Sequence, residues 1–450
     1  MKIIKETEKK FLFYVSFISI AFLLFIRFYA NVFETPVRTW DDRYYRSVAV
    51  NEAQNSSALE VIKKVILPND QNYFGERSRG YHSWLVLFVK IFPSVDYERS
   101  LLWLNYFFLL VQLGLILAFA HWAFKDANYA LAFTFIYVST PIIHGMSGWI
   151  MTENLVLLSL SLFTYCAVNL VYDEKDKNLL KPLGIGFLFG IFSTTREYVM
   201  PTLFAIIFVV TLSMWRRRRF LFLGAYLFVF GFYAAAMASW LPPILERIGE
   251  KSKLEIYSYP LGKWLSTSFF LNVGPAAIIL IIIAIPYLAL LIRRVVRSRG
   301  VKVLKSTPSL FLFSNISLAI LYAAVIVLST NRTVRSCIPL IFALFSIILF
   351  SVKLAGSSGF KVNHNVVTAT FTVLIAVSWM FNIYQLFYSY NGGKGFAVHP
   401  YNPKYEVYNH PLRLPLLKDS TDMHVSPKWA KDIPYWKLTR DIPEDIERVD

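Results

Sequence analysis

The sequence predicts an all-α protein that crosses a membrane about eleven times, and two observations support this prediction. Hydrophobic residues make up 56% of the 450-residue chain, and its mean hydropathy is +0.48. A soluble protein of ordinary composition exposes and buries far less apolar surface. The apolar residues also form long continuous runs, close to the roughly 20 residues that a helix needs to cross a bilayer. Barrel strands are shorter and alternate polar with apolar residues, so these runs indicate helices.

The first apolar run begins as a signal peptide does, with basic residues before an apolar stretch. Because Arg27 and Phe28 follow it in place of a small-residue cleavage site, we expect this run to remain as an anchor. Short polar breaks divide two of the later stretches into pairs of spans. In chain order the predicted spans are 11–29, 101–121, 128–145, 154–172, 181–195, 199–215, 220–240, 270–292, 308–329, 336–353 and 365–388.

Basic residues in the connecting segments predict the orientation. If the lysine-rich N-terminus is cytoplasmic, alternate loops are cytoplasmic too, and nearly all basic clusters then lie on that side. A nucleic-acid partner is not expected, because the net charge of +17 is spread over many loops without a soluble domain. The basic clusters on the cytoplasmic side are Lys125, Lys175 to Lys181, Arg216 to Arg219, Arg293 to Lys305 and Lys353 to Lys361.

We divide the chain into a transmembrane core, 1–355, a last transmembrane helix in 356–388, and an outer tail, 389–450. The core includes a long first outer loop, 30–100, in which the apolar stretch 84–89 is too short to span and predicts an interfacial helix. The tail contains seven prolines, so we expect a small extended structure there rather than helices.

Acidic residues at the outer face are the first candidates for catalysis. Asp41 and Asp42 follow the first span, and Glu153 begins the fourth. A carboxylate beside an acceptor hydroxyl can act as a general base, and several together can hold a divalent cation such as Mg²⁺ or Mn²⁺. Helix capping is the alternative for all three, with ion pairs to Arg43 or Arg46 for the first two.

Arginines at the same face are candidates for phosphate binding, because the planar guanidinium donates two parallel hydrogen bonds. Arg196 and Glu197 lie in the break between two short spans, where they could instead pair with each other. Arg332 and Arg335, spaced to share one helix face, could instead reach toward lipid headgroups. His82 is a further site candidate, with a purely structural role as its alternative.

These features occur in a recognisable order, which resembles that of the GT-C membrane glycosyltransferases. The closest resemblance is to the protein O-mannosyltransferases and lipid A aminoarabinose transferases, that is, to glycosyltransferase family 39, and it covers roughly residues 11–355. It depends on Asp41-Asp42-Arg43-Tyr44-Tyr45, Arg79 to Trp84, Phe92-Pro93 to Arg99, Thr152-Glu153-Asn154, Gly184 to Gly190 leading to Thr195-Arg196, and Asn331-Arg332 to Arg335 with Pro339.

The resemblance implies an integral-membrane glycosyltransferase that moves a sugar from a polyprenyl-phosphate donor to an acceptor hydroxyl or amine, with inversion. It implies that Asp41 or Asp42 is the base or a metal ligand. It also implies that Arg196 and either Arg332 or Arg335 lie near the lipid phosphate. We further assign Tyr44, His82 and Glu197 to substrate binding, and Glu153 to catalysis or the metal. The expected partners are the donor, a glycan, lipid or protein acceptor, and membrane lipids.

Two other functions are considered. A lipid-linked glycan polymerase or ligase typically has its large outer loop late in the chain, whereas here the long loop follows the first span. A transporter or flippase favours charges near the bilayer midplane and repeated halves, and no repeat is visible. We expect a multi-pass protein of a cell (inner) membrane with its site on the outer face; an endoplasmic reticulum membrane would have the same topology.

Overall fold

The computed structural model describes residues 2–33, 49–66, 80–92, 97–145, 152–172, 178–193, 195, 199–238, 273–299, 306–328, 337–357, 363–390, 398–399 and 402–406. Over these residues the chain is helical except for short turns and one small hairpin, which confirms the all-α fold class. The hairpin pairs two antiparallel strands, β1 (Val398–His399) and β2 (Asn402–Glu406), within the predicted tail.

The helices follow one another with short connections in the described parts of the chain. They are α1 (Lys2–Phe33), α2 (described over 49–55), α3 (Ala58–Ile66), α4 (Gly80–Ile91), α5 (Tyr97–Phe124), α6 (Ala127–Val138), α7 (Pro141–Gly145), α8 (Glu153–Tyr172), α9 (Leu180–Ser193), α10 (Met200–Arg216), α11 (Phe220–Ala238), α12 (Pro275–Arg299), α13 (Thr307–Leu328), α14 (Ile338–Ser357) and α15 (His364–Tyr390).

Among the described residues, 7 helices are long and apolar enough to cross a membrane: α1, α5, α8, α12, α13, α14 and α15. The other predicted spans coincide with shorter apolar helices, which are α6, α9, α10 and the 220–231 part of α11. A helix of 12 residues such as α6 is only about 18 Å long, against a hydrocarbon core of roughly 30 Å. The count of eleven therefore stays a prediction.

The predicted span 128–145 is divided into α6 and α7, and Pro141 explains the break. Proline has no N–H to donate, and its ring disfavours the helical conformation in the preceding residue, Thr140. The carbonyl of Val138 at the end of α6 accepts a hydrogen bond of 2.7 Å from Nδ1 of His144. This side chain thus satisfies a carbonyl at the end of α6.

The centre of the bundle is formed by α8 and α14. In each of these helices 72% of the apolar segment is buried, whereas in α12 only 22% is buried. Helix α5 packs against both, and the Phe119 and Phe350 rings meet edge to face at 5.1 Å between centroids. On the periphery, large apolar side chains such as Phe25 and Ile18 of α1 are more than half exposed. An apolar outer face of this kind is what lipid chains cover in a membrane protein.

Basic side chains close one end of the bundle, the end predicted to be cytoplasmic. Arg217 Nη1 donates to the Val171 carbonyl at 2.6 Å, and Lys353 Nζ donates to the Trp122 carbonyl at 2.9 Å. These carbonyls belong to the last turns of α8 and α5, where four carbonyls lack an intrahelical partner and the helix dipole is negative. The cations therefore satisfy helix ends while remaining near the polar edge of the bundle.

Gly186 is the residue that lets α9 and α11 approach each other. A Cβ atom there would lie 2.7 Å from the Tyr226 carbonyl oxygen and 3.3 Å from Val229 Cβ. Because the nearer atom is backbone, it cannot rotate away. Small residues allow this kind of close helix packing within membranes. By contrast, a Cβ at Gly184, half a turn earlier, would meet nothing within 4 Å.

We predict that Gly186→Ala lowers the stability of the protein by about 1–3 kcal/mol, because the added methyl forces α9 and α11 apart. Gly184→Ala is the matched control, and it should leave stability unchanged or raise it slightly through helix propensity. Thermal unfolding in detergent, followed by a thiol-reactive dye that detects exposure of the buried Cys337, measures both. Equal transition temperatures for the two variants would contradict the packing argument.

Candidate functional site

Helix α4 begins inside the bundle. The Tyr81 hydroxyl donates to Asn105 Oδ1 at 2.9 Å. The Trp84 ring lies between two other rings, with centroid distances of 6.1 Å to Phe108 and 5.9 Å to Phe192. These contacts place the start of α4 between the first half of α5 and the end of α9. The interfacial position predicted for it stays a prediction, but its N-terminal turn is packed against other helices.

Glu52 and His82 form a buried pair that joins α2 to α4. His82 Nε2 lies 2.7 Å from Glu52 Oε2, and the two side chains are only 2% and 4% exposed. With the carboxylate ionised, Nε2–H is the donor. Lys90, near the other end of α4, donates from Nζ to the Ala53 carbonyl at 2.9 Å. Two charge-assisted contacts therefore hold α2 on α4, and such contacts are stronger than hydrogen bonds between neutral groups.

A neighbouring carboxylate has a local role instead. Glu60 Oε2 accepts from the Ser57 N–H at 2.7 Å, and the Glu60 N–H donates to Ser57 Oγ at 3.3 Å. This reciprocal arrangement is a capping box, which explains why α3 begins at the next residue. Glu60 is exposed. The contrast shows that burial distinguishes Glu52 from an ordinary loop carboxylate.

Arg27 is 2% exposed although it lies near the end of the apolar part of α1. Its side chain is close enough to Tyr106 of α5 and to His144 of α7 to interact with both electrostatically. The Tyr106 hydroxyl also donates to the Leu24 carbonyl at 3.2 Å, which fixes this part of α1 against α5. The Arg27 side chain therefore lies within the bundle rather than at the lipid-facing surface. A buried cation among apolar helices is a candidate functional group.

Glu153 is the first residue of α8 and is 1% exposed. Thr152 precedes it as the N-cap, since the Thr152 carbonyl accepts from the Val156 N–H at 3.0 Å. The Thr152 hydroxyl donates to Glu153 Oε2 at 3.2 Å. The carboxylate thus lies at the positive end of the α8 dipole. Both interpretations, capping and a catalytic role, remain open for it.

A hydrogen bond also fixes the residue before Arg196. The hydroxyls of Ser159 in α8 and Thr195 lie 3.0 Å apart, and both residues are fully buried. Val199, the first described residue beyond Thr195, is fully buried as well. The two described ends of this break are therefore both buried in the core, and Thr195 is hydrogen-bonded to α8.

The structure describes two of the predicted site residues, His82 and Glu153, and both are buried at the same end of the bundle. The others lie outside the described residues, so their roles stay predictions. These are Asp41, Asp42, Tyr44, Arg196, Glu197, Arg332 and Arg335.

Glu52 was not predicted as a site residue from the sequence, and Arg27 was used only as an argument against cleavage of the first span. An arginine at the end of an apolar run was the available signal for Arg27, because an ionisable residue in a span is a functional candidate. Nothing in the sequence distinguishes Glu52 from the other charged residues of its loop. Its partner is 30 residues away along the chain, in another helix.

Among the described residues, no group of three or more His, Cys, Asp or Glu side chains could hold a metal ion. Of the predicted ligands only Glu153 is described, while Asp41 and Asp42 lie outside the described ranges. The divalent cation therefore stays a prediction, to be tested by chelation.

Comparisons of this chain with protein-family models, with curated proteins and with solved structures found no match. The family resemblance therefore remains one of ordered motifs.

We predict that Glu52→Leu destabilises the protein by about 3 kcal/mol, because it leaves the buried His82 without this carboxylate. The double variant Glu52→Leu/His82→Leu should recover at least half of the loss, since replacing both partners by apolar groups is far less costly. Glu60→Gln is the control for an exposed carboxylate and should change little. Chemical or thermal unfolding in detergent gives the double-mutant cycle, and strictly additive losses would show that the pair is not coupled.

Proposed function

We propose that this protein is an integral-membrane glycosyltransferase that uses a polyprenyl-phosphate sugar as its donor. One observation supports the proposal most strongly. Among the described residues, the buried Arg, Glu and His side chains all belong to one end of the bundle; they are Arg27, Glu52, His82, His144 and Glu153. A reaction between a lipid-anchored donor and a polar acceptor needs charged groups at the membrane edge, preorganised and shielded from water.

The proposed chemistry is a single displacement. Asp41 or Asp42 accepts the proton of the acceptor hydroxyl or amine, whose oxygen or nitrogen attacks the anomeric carbon. The bond from that carbon to the phosphate oxygen breaks, and the polyprenyl phosphate leaves with the electron pair. Attack opposite the leaving group inverts the anomeric centre. Arg196 and either Arg332 or Arg335 stabilise the negative charge on the departing phosphate.

The described residues contribute to this scheme mainly by positioning. The Glu52–His82 contact holds α2, which is described from residue 49, against a helix packed deep in the bundle. Arg27 adds a buried positive charge at the same end, suited to an anionic phosphate group. Glu153 adds a carboxylate that is a candidate for orienting an acceptor. In water, such charges would be screened and far less effective.

A transporter is less well supported by the described residues. In α15 and at the C-cap of α6, for example, the buried polar side chains are uncharged, as in the Ser378–Ser139 hydrogen bond of 2.6 Å. A pathway for ions or charged lipid headgroups typically uses ionisable residues near the middle of the membrane. A lipid-linked glycan polymerase or ligase remains the second candidate, because it also needs arginines and carboxylates at one face.

The decisive experiment measures sugar transfer by the purified protein in liposomes. A panel of radiolabelled polyprenyl-phosphate sugars is supplied with crude membrane acceptors. We predict that Asp41→Asn or Asp42→Asn lowers the transfer rate by about 100-fold or more, the usual contribution of a general base. Asp126→Asn is the matched control, because Asp126 caps α6 by accepting from the Asn128 N–H, at the opposite end of the bundle; it should retain transfer.

Three outcomes discriminate between the functions. If the wild type transfers no sugar from any donor, the glycosyltransferase proposal is wrong. If it transfers sugar but both variants keep the full rate, the acidic pair caps a helix and the base lies elsewhere. If it instead extends a lipid-linked glycan chain, the polymerase function is correct. Chelation with EDTA, followed by Mg²⁺ or Mn²⁺, tests the predicted cation in the same assay.

A further inference from the structure

The turn between α10 and α11 contains four consecutive arginines. Two of their side chains point inward and two point outward. Arg217 and Arg219 turn inward, onto carbonyls at the end of α8. Arg219 also lies over the Phe222 ring, with 4.0 Å from Cζ to the ring centroid. Arg216 and Arg218 are exposed.

Arg218 occupies the left-handed position that follows the C-cap of α10. Arg218 has φ +56°, its N–H donates to the Trp215 carbonyl, and the Arg219 N–H donates to the Met214 carbonyl, both at 3.0 Å. This is the Schellman motif, in which the left-handed position is normally glycine. A side chain there is strained. Arginine at this position thus sacrifices backbone stability and directs a guanidinium outward.

Exposed aromatic rings lie on both sides of the outward arginines. Trp215 is 62% exposed and Phe220 is 52% exposed. Their rings meet edge to face with 5.3 Å between centroids. Leu221, the next residue, is 69% exposed. Tryptophan and other aromatic residues favour the level of the lipid headgroups, where one side of the ring is apolar and the other is wet.

We propose that this turn binds the headgroup of an anionic phospholipid in the leaflet at this end of the bundle. The guanidinium groups of Arg216 and Arg218 hold the phosphate by charge-assisted hydrogen bonds, and Trp215, Phe220 and Leu221 contact the glycerol and upper acyl chain. The chemistry matches on both counts: guanidinium groups suit phosphate, and exposed apolar side chains suit the lipid that carries it. The proposal is independent of sugar transfer.

The test measures lipid binding to the purified full-length protein in detergent by native mass spectrometry, with phosphatidylglycerol and phosphatidylcholine as probes. For Arg216→Gln/Arg218→Gln we expect phosphatidylglycerol binding to weaken by about fivefold for each arginine removed, with phosphatidylcholine binding unchanged. Arg293→Gln/Arg297→Gln is the matched control: it removes two other exposed arginines, from α12, and should retain binding. Inorganic phosphate at millimolar concentration should not displace the lipid.

A second variant separates binding from folding. Arg218→Gly places the residue that the left-handed conformation favours, so it should raise the unfolding temperature in phosphatidylcholine micelles. The same variant should bind phosphatidylglycerol about fivefold more weakly. The proposal is wrong if Arg218→Gly binds this lipid as the wild type does. It is equally wrong if the α12 control loses as much binding, which would indicate net charge alone, or if inorganic phosphate displaces the lipid.

Discussion

Placing an ionisable side chain among apolar helices costs about 3 kcal/mol when it is unpaired at the centre of a membrane helix, and this cost organises the described part of the chain. Glu52 and His82 are both buried, and each provides the other with a charge-assisted partner. Glu153 lies at the positive end of α8, with the Thr152 hydroxyl as a donor. Arg27 in α1 and His144 in α7 are buried near the same end. Among the described residues, the buried Arg, Glu and His side chains therefore lie at one end of the bundle, beside helix termini.

The opposite end of the bundle meets the same constraint in a different way. There the basic side chains remain close to the polar edge, and the groups that they satisfy are backbone carbonyls, as in the contact from Arg217 to Val171 and that from Lys353 to Trp122. Such an end is suited to anchoring and orientation, and its exposed arginines suit lipid headgroups. The end that contains Glu52 and His82 is the one suited to chemistry, because its charges are withdrawn from water and fixed by several helices.

Hydrophobic runs predicted the helices well, because a run of apolar residues has few alternatives in a membrane. The break at Pro141 and the start of α8 beside Glu153 depend on local rules of sequence, whereas the packing role of Gly186 depends on Tyr226 in another helix. The partnership of Glu52 with His82 could not be predicted in this way. It depends on how α2 packs on α4, and neither charge pattern nor spacing records that packing. Arg27 was an intermediate case. Its position at the end of an apolar run marked it as a functional candidate, but the sequence did not show which residues surround its side chain.

We propose that the phosphate end of a polyprenyl-phosphate lipid binds where the buried charged side chains lie. Cross-linking with a polyprenyl phosphate that carries a photoreactive group beside the phosphate tests it most directly, with labelled peptides identified by mass spectrometry. We expect adducts in the first turns of α4 and α8, around His82 and Glu153, that excess unlabelled lipid suppresses. Adducts confined to the turn at Arg216–Arg219, or spread evenly over lipid-facing helices such as α12, would contradict it.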